Sequence, residues 1–184
     1  MELTHERMSE EVKEGLITVF RETDDIIQST IDIITLTLTR TIKDSIKVGI
    51  SPAAVVNDVV RGVVHGAAEG GADLECTAQG IMIGVLRGAQ VKKEKIIDTI
   101  TDTSHVVTRD TAEFGGDLRA VASGLVEGAV KVATEQDVNA EEAAAAAAIG
   151  SLKAAGRMGA IAKNVTREAV TMAMRKARDM RRKI

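Results

Sequence analysis

"RGVVHGAAEGGADLECTAQGIMIGVLRGAQ", residues 61–90, decides how the chain is read. Glycine recurs every fourth residue through Gly62, Gly66 and Gly70, and again through Gly80, Gly84 and Gly88, among residues that otherwise favour a helix. Helical positions four apart share a face, so each set, the second extended by Cys76, draws a stripe nearly free of side chains. Ala120, Gly124 and Gly128, and Ala146, Gly150 and Ala154, repeat the pattern downstream. An interior glycine costs about 0.8–1 kcal/mol relative to alanine. Over Gly62, Gly66, Gly80, Gly84, Gly88, Gly124, Gly128 and Gly150 the penalty is on the order of 7 kcal/mol, comparable to the net stability of a typical domain. The compensation expected is a glycine zipper, in which a smooth groove accepts a neighbour's ridge of Val, Ile or Leu and the backbones come closer than the usual spacing of roughly 8–10 Å. The same stripes can instead close between copies of the chain or on a lipid surface, or leave bare backbone for a ligand.

Around this stretch the chain resembles itself. Residues 71–89 laid on 115–133 pair Gly71 with Gly115, Asp73 with Asp117, Leu74 with Leu118, Ala78 with Ala122, Gly80 with Gly124, Gly84 with Gly128 and Ala89 with Ala133. The linkers agree: Ile50, Val91 and Val138 each precede an apolar pair by five and six positions. Ser51-Pro52 supplies an N-cap followed by the only proline at N1, and Asn139 with Glu142 a second start of capping-box type. Ser9 before Glu10 and Glu11 marks a third, and Gly49, Gly70-Gly71, Gly115-Gly116 and the Gly156–Gly159 region mark stops. The expectation is one all-α domain over 1–184: a helix at 9–23, helical hairpins at 24–70, 71–114 and 115–158 as pseudo-repeats of about 44 residues, and a basic helix at 159–184. A period in the forties suits two-helix solenoid repeats, and three units pack equally well as a bundle or a short α-solenoid.

"IDIITLTLTRTI" (31–42) is the segment that strains this scheme, being β-branched and alternating like a strand. Ile27, Ile31, Ile34, Leu38, Ile42 and Ile46 nevertheless continue at helical spacing, and no neighbouring segment offers a strand to pair with, so a helix is expected. The helix at 93–113 differs otherwise, carrying Thr99, Asp102, Thr103 and Asp110 in place of a glycine stripe.

Composition narrows function by exclusion. The 184 residues are 45% hydrophobic but 1% aromatic, Phe20 and Phe114 being the whole supply, which argues against modules that stack bases on aromatic platforms. Cys76 is the lone cysteine, so no internal disulfide forms and a reducing cytoplasm is the compartment expected. The opening "MELTHERMSEEVKEG" lacks a secretory h-region, and the longest uncharged run, 76–86, is too short to span a bilayer. Net charge is −3, with acids such as Glu10, Glu11, Asp24 and Asp25 early and a basic tail at 175–183. That tail, Arg175, Lys176, Arg178, Arg181, Arg182 and Lys183, is a candidate anion-binding segment, although cations also favour a helix C-terminus.

No catalytic constellation stands out. His65 with Glu69, Asp102 with His105, and Asp73 with Cys76 have spacings that can hold a metal, yet neither HExxH nor a repeated ExxH occurs, and His5 lies near the start of the chain. Nothing local lowers the Cys76 pKa, and "GAAEGG" matches no phosphate loop. The expectation is therefore a non-enzymatic helical scaffold or adaptor without cofactor, metal or small-molecule substrate, acting as a homo-oligomer or on a protein partner. The alternative is a peripheral anionic-lipid or nucleic-acid binder using the basic C-terminal helix.

Overall fold

The computed structural model describes residues 2–22, 25–47, 51–89 and 91–181. Gly49, Ile50, Asp24, Arg182 and Lys183, named above, lie outside that set. Eight α-helices fill it: α1 (Glu2–Glu22), α2 (Ile26–Lys47), α3 (Pro52–Gly70), α4 (Leu74–Gly88), α5 (Ile96–Glu113, entered through a 3₁₀ turn at Lys93–Lys95), α6 (Leu118–Glu135), α7 (Ala140–Met158) and α8 (Ala160–Arg181). No strand occurs among the described residues.

The boundaries follow from local chemistry. Ser51 takes an extended conformation and accepts from the Ala54 N–H at 3.2 Å, with Pro52 at the first helical position. Asp73 caps α4 through the Cys76 N–H, Asp117 caps α6 through Arg119 and Ala120, and Asn139 caps α7 through Glu141 and Glu142. The stops at Gly71 (φ 69°) and Gly115 (φ 73°) are left-handed, and the amides one residue on close back onto the Ala67 and Thr111 carbonyls. After α6 the same turn is made by Asp137 (φ 53°), a residue that tolerates this region at some strain. The N-terminal helix departs from expectation: α1 begins at Glu2, which places Ser9 inside it. "ELTHERMSEEVKEG" contains no early Gly or Pro to stop propagation, so a cap-like serine has no helix start to cap.

The helices form two layers. α1, α3, α5 and α7 lie in one and α2, α4, α6 and α8 in the other, each helix from α3 onward packing on the helix two places before it, with α3 on α5 the loosest such pair. Chain neighbours such as α6 and α7 close the layers on each other over a core of Val, Ile, Leu, Met and Ala.

All eight striped glycines lie in the contacts between helices two apart. A Cβ added to Gly62 or Gly66 meets the Ser9 or Lys13 carbonyl oxygen of α1 at 2.5 or 3.0 Å. At Gly80, Gly84 and Gly88 it meets those of Ile27, Ile31 and Thr35 at 2.9, 3.3 and 3.2 Å, together with the side chains of Thr30, Ile34 and Leu38. Gly124 faces the Glu75 carbonyl, Gly128 that of Gln79, and Gly150 that of Thr101. Partner numbers rise together along both helices, so these pairs run parallel. In the first five contacts the separation is 53 residues (62−9, 66−13, 80−27, 84−31, 88−35), and in the last three it is 49 (124−75, 128−79, 150−101). A strict 44-residue translation of the Gly80–Ile27 contact would set Gly124 against residue 71. It meets Glu75 instead, so α6 sits on α4 one helical turn further along than α4 sits on α2.

This packing explains the threonines of "ITLTLT". α2 is helical throughout, with Ile31, Ile34 and Leu38 buried. Thr35 and Thr39, four apart, direct their hydroxyls to the Gly84 and Gly88 carbonyls at 3.5 Å, a long contact that bare backbone permits. It also explains the helix without a stripe. Gly62 and Gly150 are 88 positions apart, and the position midway between them, on α5, is Val106. An isopropyl group there holds α3 and α5 apart, and a half-open groove of about 250 Å³ runs between Pro52, Ala53 and Asn57 on one side and Asp102, Thr103 and Val106 on the other.

The sign of a Gly→Ala change follows from these surroundings. Gly124→Ala and Gly150→Ala should destabilise by about 1–3 kcal/mol net of the propensity gain, because the methyl meets backbone that cannot rotate away. Gly84→Ala and Gly128→Ala should also destabilise but lose less, since the nearest atoms, the Ile34 Cβ at 2.8 Å and the Gln79 carbonyl oxygen at 2.9 Å, are equally fixed by the backbone but stand further off. Gly15→Ala, with nothing within 4 Å, and Gly156→Ala, with only the Lys163 Cδ at 3.8 Å, should gain up to about 1 kcal/mol. Chemical denaturation of the six variants tests the ordering. A Gly124→Ala or Gly150→Ala variant more stable than the parent would disprove the close approach.

Candidate functional site

Three places in the described structure hold something other than ordinary core. The first is the groove between α3 and α5. The second is a polar seam on α5, where Thr103, Ser104, Thr108, Asp110 and Thr111 are all buried. Ser104, Thr108 and Thr111 hydroxyls, with Ser151 of α7 and Thr166 of α8, have no hydrogen-bond partner among the described residues. Asp110 is fully buried and bound by the Arg109 guanidinium (Nη2–Oδ1 2.7 Å, Nε–Oδ1 2.8 Å), while its Oδ2 has no partner. Burial pushes its carboxyl above the ordinary range, with Arg109 opposing.

The histidine and cysteine pairs do not converge. His65 stacks on Phe114 (ring centroids 4.2 Å) and reaches Glu69 at 3.5 Å, whereas Asp102 borders the groove and His105 lies against Gly150. Among the described residues no three His, Cys, Asp or Glu side chains come together as metal ligands would. The Cys76 thiol sits at the start of α4, where a helix N-terminus alone would favour thiolate. Burial raises its pKa, and the capping carboxylate of Asp73 adds to the rise, which keeps the thiol protonated.

The third place is the far end of the stack. α7 buries Ala143, Ala144, Ala146, Ala147, Gly150, Ala154 and Ala155, and leaves Ile149 (59% exposed) and Met158 (38%) outside. The chain then turns at Gly159, whose φ of 125° and ψ of 175° lie in a region open essentially to glycine alone. α8 buries Thr166, Ala169, Val170 and Ala173 and leaves Ile161 (82%) and Met172 (60%) outside. These four, with Leu36 of α2 (51%), are the large exposed hydrophobic side chains of the described structure; α3 to α6 have none.

Between α1 and α6, Lys13, Arg61, Arg87, Lys93, Lys95, Arg109 and Arg119 form ion pairs, whereas the exposed Arg40, Lys92 and Lys131 have none among the described residues. Several lock helices two apart: Arg61–Glu113 at 3.1 Å, Arg87–Glu135 at 2.8 Å and Arg119–Glu168 at 3.4 Å. On α7 and α8, Lys153, Arg157, Lys163, Arg167, Arg175 and Arg178 are exposed and have no ion pair among the described residues. Burial lowers the His105 pKa, and the nearby charges of Arg157, Lys153 and Arg109 lower it further, against an opposing hydrogen bond with the Gly150 backbone.

Of the tail cations singled out in the sequence, Arg175 and Arg178 belong to this face; the side chains of Lys176 and Arg181 fall outside the described set, as do Arg182 and Lys183. Lys153, Arg157, Lys163 and Arg167 escape a search for charge runs because they are scattered. Their signal is the absence of any carboxylate three or four positions away on either side. No protein-family model and no curated protein sequence matches this chain, so the face is interpreted from its own chemistry.

Asp110 gives a pH-dependent check on the seam. Its raised pKa means that the folded chain holds the proton more tightly than the unfolded chain, so its contribution to stability is most favourable in acid and declines as pH rises above the ordinary value of 3.8. Asp110→Asn should lie within about 1 kcal/mol of the parent near neutral pH, since Arg109 is part-exposed and has Glu113 at 3.9 Å as another partner. The stability of the parent minus that of the variant should fall with pH above 3.8. A difference that grows with pH would show that the charged pair stabilises the fold.

Proposed function

We propose that this chain is a non-enzymatic helical scaffold or adaptor that acts by association through the outward face of α7 and α8. The observation that carries the reading is the confinement of large exposed hydrophobics to the ends of the stack. Ile149, Ile161 and Met172 share two successive helices with six exposed cations that have no ion pair among the described residues, a composition suited to docking on an apolar surface with carboxylates at its rim. The glycine stripes are not available for this role. The chain's own carbonyls and side chains already occupy the space they face, so association through them would have to unseat a helix.

A second reading draws on the same cations: a peripheral protein whose α8 lies on an anionic lipid surface with Ile161 and Met172 inserted. No described helix is long and apolar enough to cross a membrane. Flotation with anionic vesicles at low salt, set against self-association of the protein alone, separates the two readings.

The association reading is tested by light scattering over a range of protein concentration. The mass should rise with concentration, and Ile161→Asp and Met172→Asp should each weaken association by about tenfold, as expected for removing one side chain from a buried apolar contact. Both residues are exposed, so helix content should not change. A parent that stays monomeric at every concentration rejects self-association.

A further inference from the structure

We infer that Lys153 and Arg157 of α7, with His105 of α5, form a binding site for a phosphate-type dianion on the α5–α7 pair. Other helices two apart are bridged by opposite charges: Lys13–Glu69 at 3.5 Å joins α1 to α3, Arg61–Glu113 at 3.1 Å joins α3 to α5, Arg87–Glu135 at 2.8 Å joins α4 to α6 and Arg119–Glu168 at 3.4 Å joins α6 to α8. The α5–α7 pair is seated as closely, with Gly150 on the Thr101 carbonyl, the Ser104 Cβ and the His105 amide nitrogen. Its charges nevertheless do not alternate. At the separation of Arg87 and Glu135 (135−87 = 48) stand His105 with Lys153 (153−105 = 48) and Arg109 with Arg157 (157−109 = 48). Lys153 and Arg157 are exposed without an ion pair among the described residues. Both are near enough to act on the imidazole: burial lowers the His105 pKa most, then the charges of Arg157 and Lys153, and its Nδ1 is buried without a hydrogen-bond partner. Like charges set together across a tight contact oppose it unless an anion lies between them.

The carboxylates of the surrounding helices are engaged elsewhere. Asp110 and Glu113 hold Arg109, which leaves that residue as background charge and not part of the site. Asp102, three residues before His105, borders the α3–α5 groove. Glu141 and Glu142 lie in the first turn of α7, about 16–18 Å along the helix from Lys153. On α8, Glu168 bonds Arg119, and Lys163, whose Cδ lies near Gly156, adds a further cation. Two unpaired cations and an imidazole therefore remain. A phosphate-type dianion matches them: Arg157 offers a planar fork to two oxygens, Lys153 a compact charge, and His105 a ring that takes up a proton beside an anion. A single carboxylate would neutralise only one of the two cations.

Inorganic phosphate, titrated against chloride at constant ionic strength, tests the site on the full chain. The parent is compared with Lys153→Gln plus Arg157→Gln and, for an equal change of charge elsewhere, with Arg175→Gln plus Arg178→Gln. All four residues are exposed, so circular dichroism should show unchanged helix content. Without phosphate the Lys153/Arg157 variant should melt no lower than the parent, because it removes like charges; a lower melting temperature would mean that the two cations already have partners and would overturn the inference. With phosphate, the His105 ring resonances of the parent and of the Arg175/Arg178 variant should titrate at higher pH, and affinity should fall about tenfold or more in the Lys153/Arg157 variant. Phosphate also stabilises folds generally by exclusion from their surface, so the difference between variants is the measure. Vesicles containing phosphatidic acid form a second arm. If they bind where inorganic phosphate does not, and only the Lys153/Arg157 variant loses them, the site stands with a lipid headgroup as its source. If neither ligand moves the His105 titration, or if the two variants lose binding equally or not at all, the inference is wrong.

Discussion

The rest of the structure depends on one contact: a backbone carbonyl of one helix set where the Cβ of a facing residue would be. Only glycine leaves that space, and it occurs where Ser9, Lys13, Ile27, Ile31, Thr35, Glu75, Gln79 and Thr101 present their oxygens. Two helices this close gain dense dispersion contact, and an approach of this kind suits weak Cα–H hydrogen bonds to carbonyls. A chain with 1% aromatic residues has few other ways to fill space between helices. The small core residues and the glycines are therefore one solution, in which less bulk is matched by less distance.

The same contact sets the register of the layers. Separations of 53 in the first part of the stack and 49 in the second show parallel helices locked carbonyl to glycine, with a slip of one turn between them. The cross-helix ion pairs Arg61–Glu113 and Arg87–Glu135 have nearly the same separations, the second alongside a glycine contact and the first across the looser α3–α5 pair. Where Val106 interrupts the pattern, α3 and α5 part and a groove opens. The polar seam lies on that same helix, whose other side keeps the glycine contact, with Thr101 and Ser104 against Gly150.

Among the described helices, the inner ones are packed on both sides and the outermost on one. Each internal pair is covered on two sides, and its exposed side chains are mostly paired ions or small residues. The end pairs carry the exposed Leu36, Ile149, Met158, Ile161 and Met172. Acids cluster early in the chain, while Lys153, Arg157, Lys163 and Arg167 have no carboxylate at helical spacing to pair with.

What the sequence by itself determined is local. Caps at Ser51, Asp73, Asp117 and Asn139, left-handed stops at Gly71 and Gly115, and apolar spacing through 31–42 each depend on residues within a turn or two, so helix existence and most boundaries could be read directly. The start of α1 is not legible for the same reason, because a local cap signal at Ser9 carries no information about the helix that continues before it. The stripes announced close packing, but not the partner of each glycine. That was decided only by the tertiary structure, since a groove accepts any ridge of the right shape, and loop lengths choose between the neighbouring helix, the helix two away and another copy. The candidate face was hidden similarly: Ile149 and Ile161 look like core residues in a sequence, and only the tertiary structure shows that no described helix covers them.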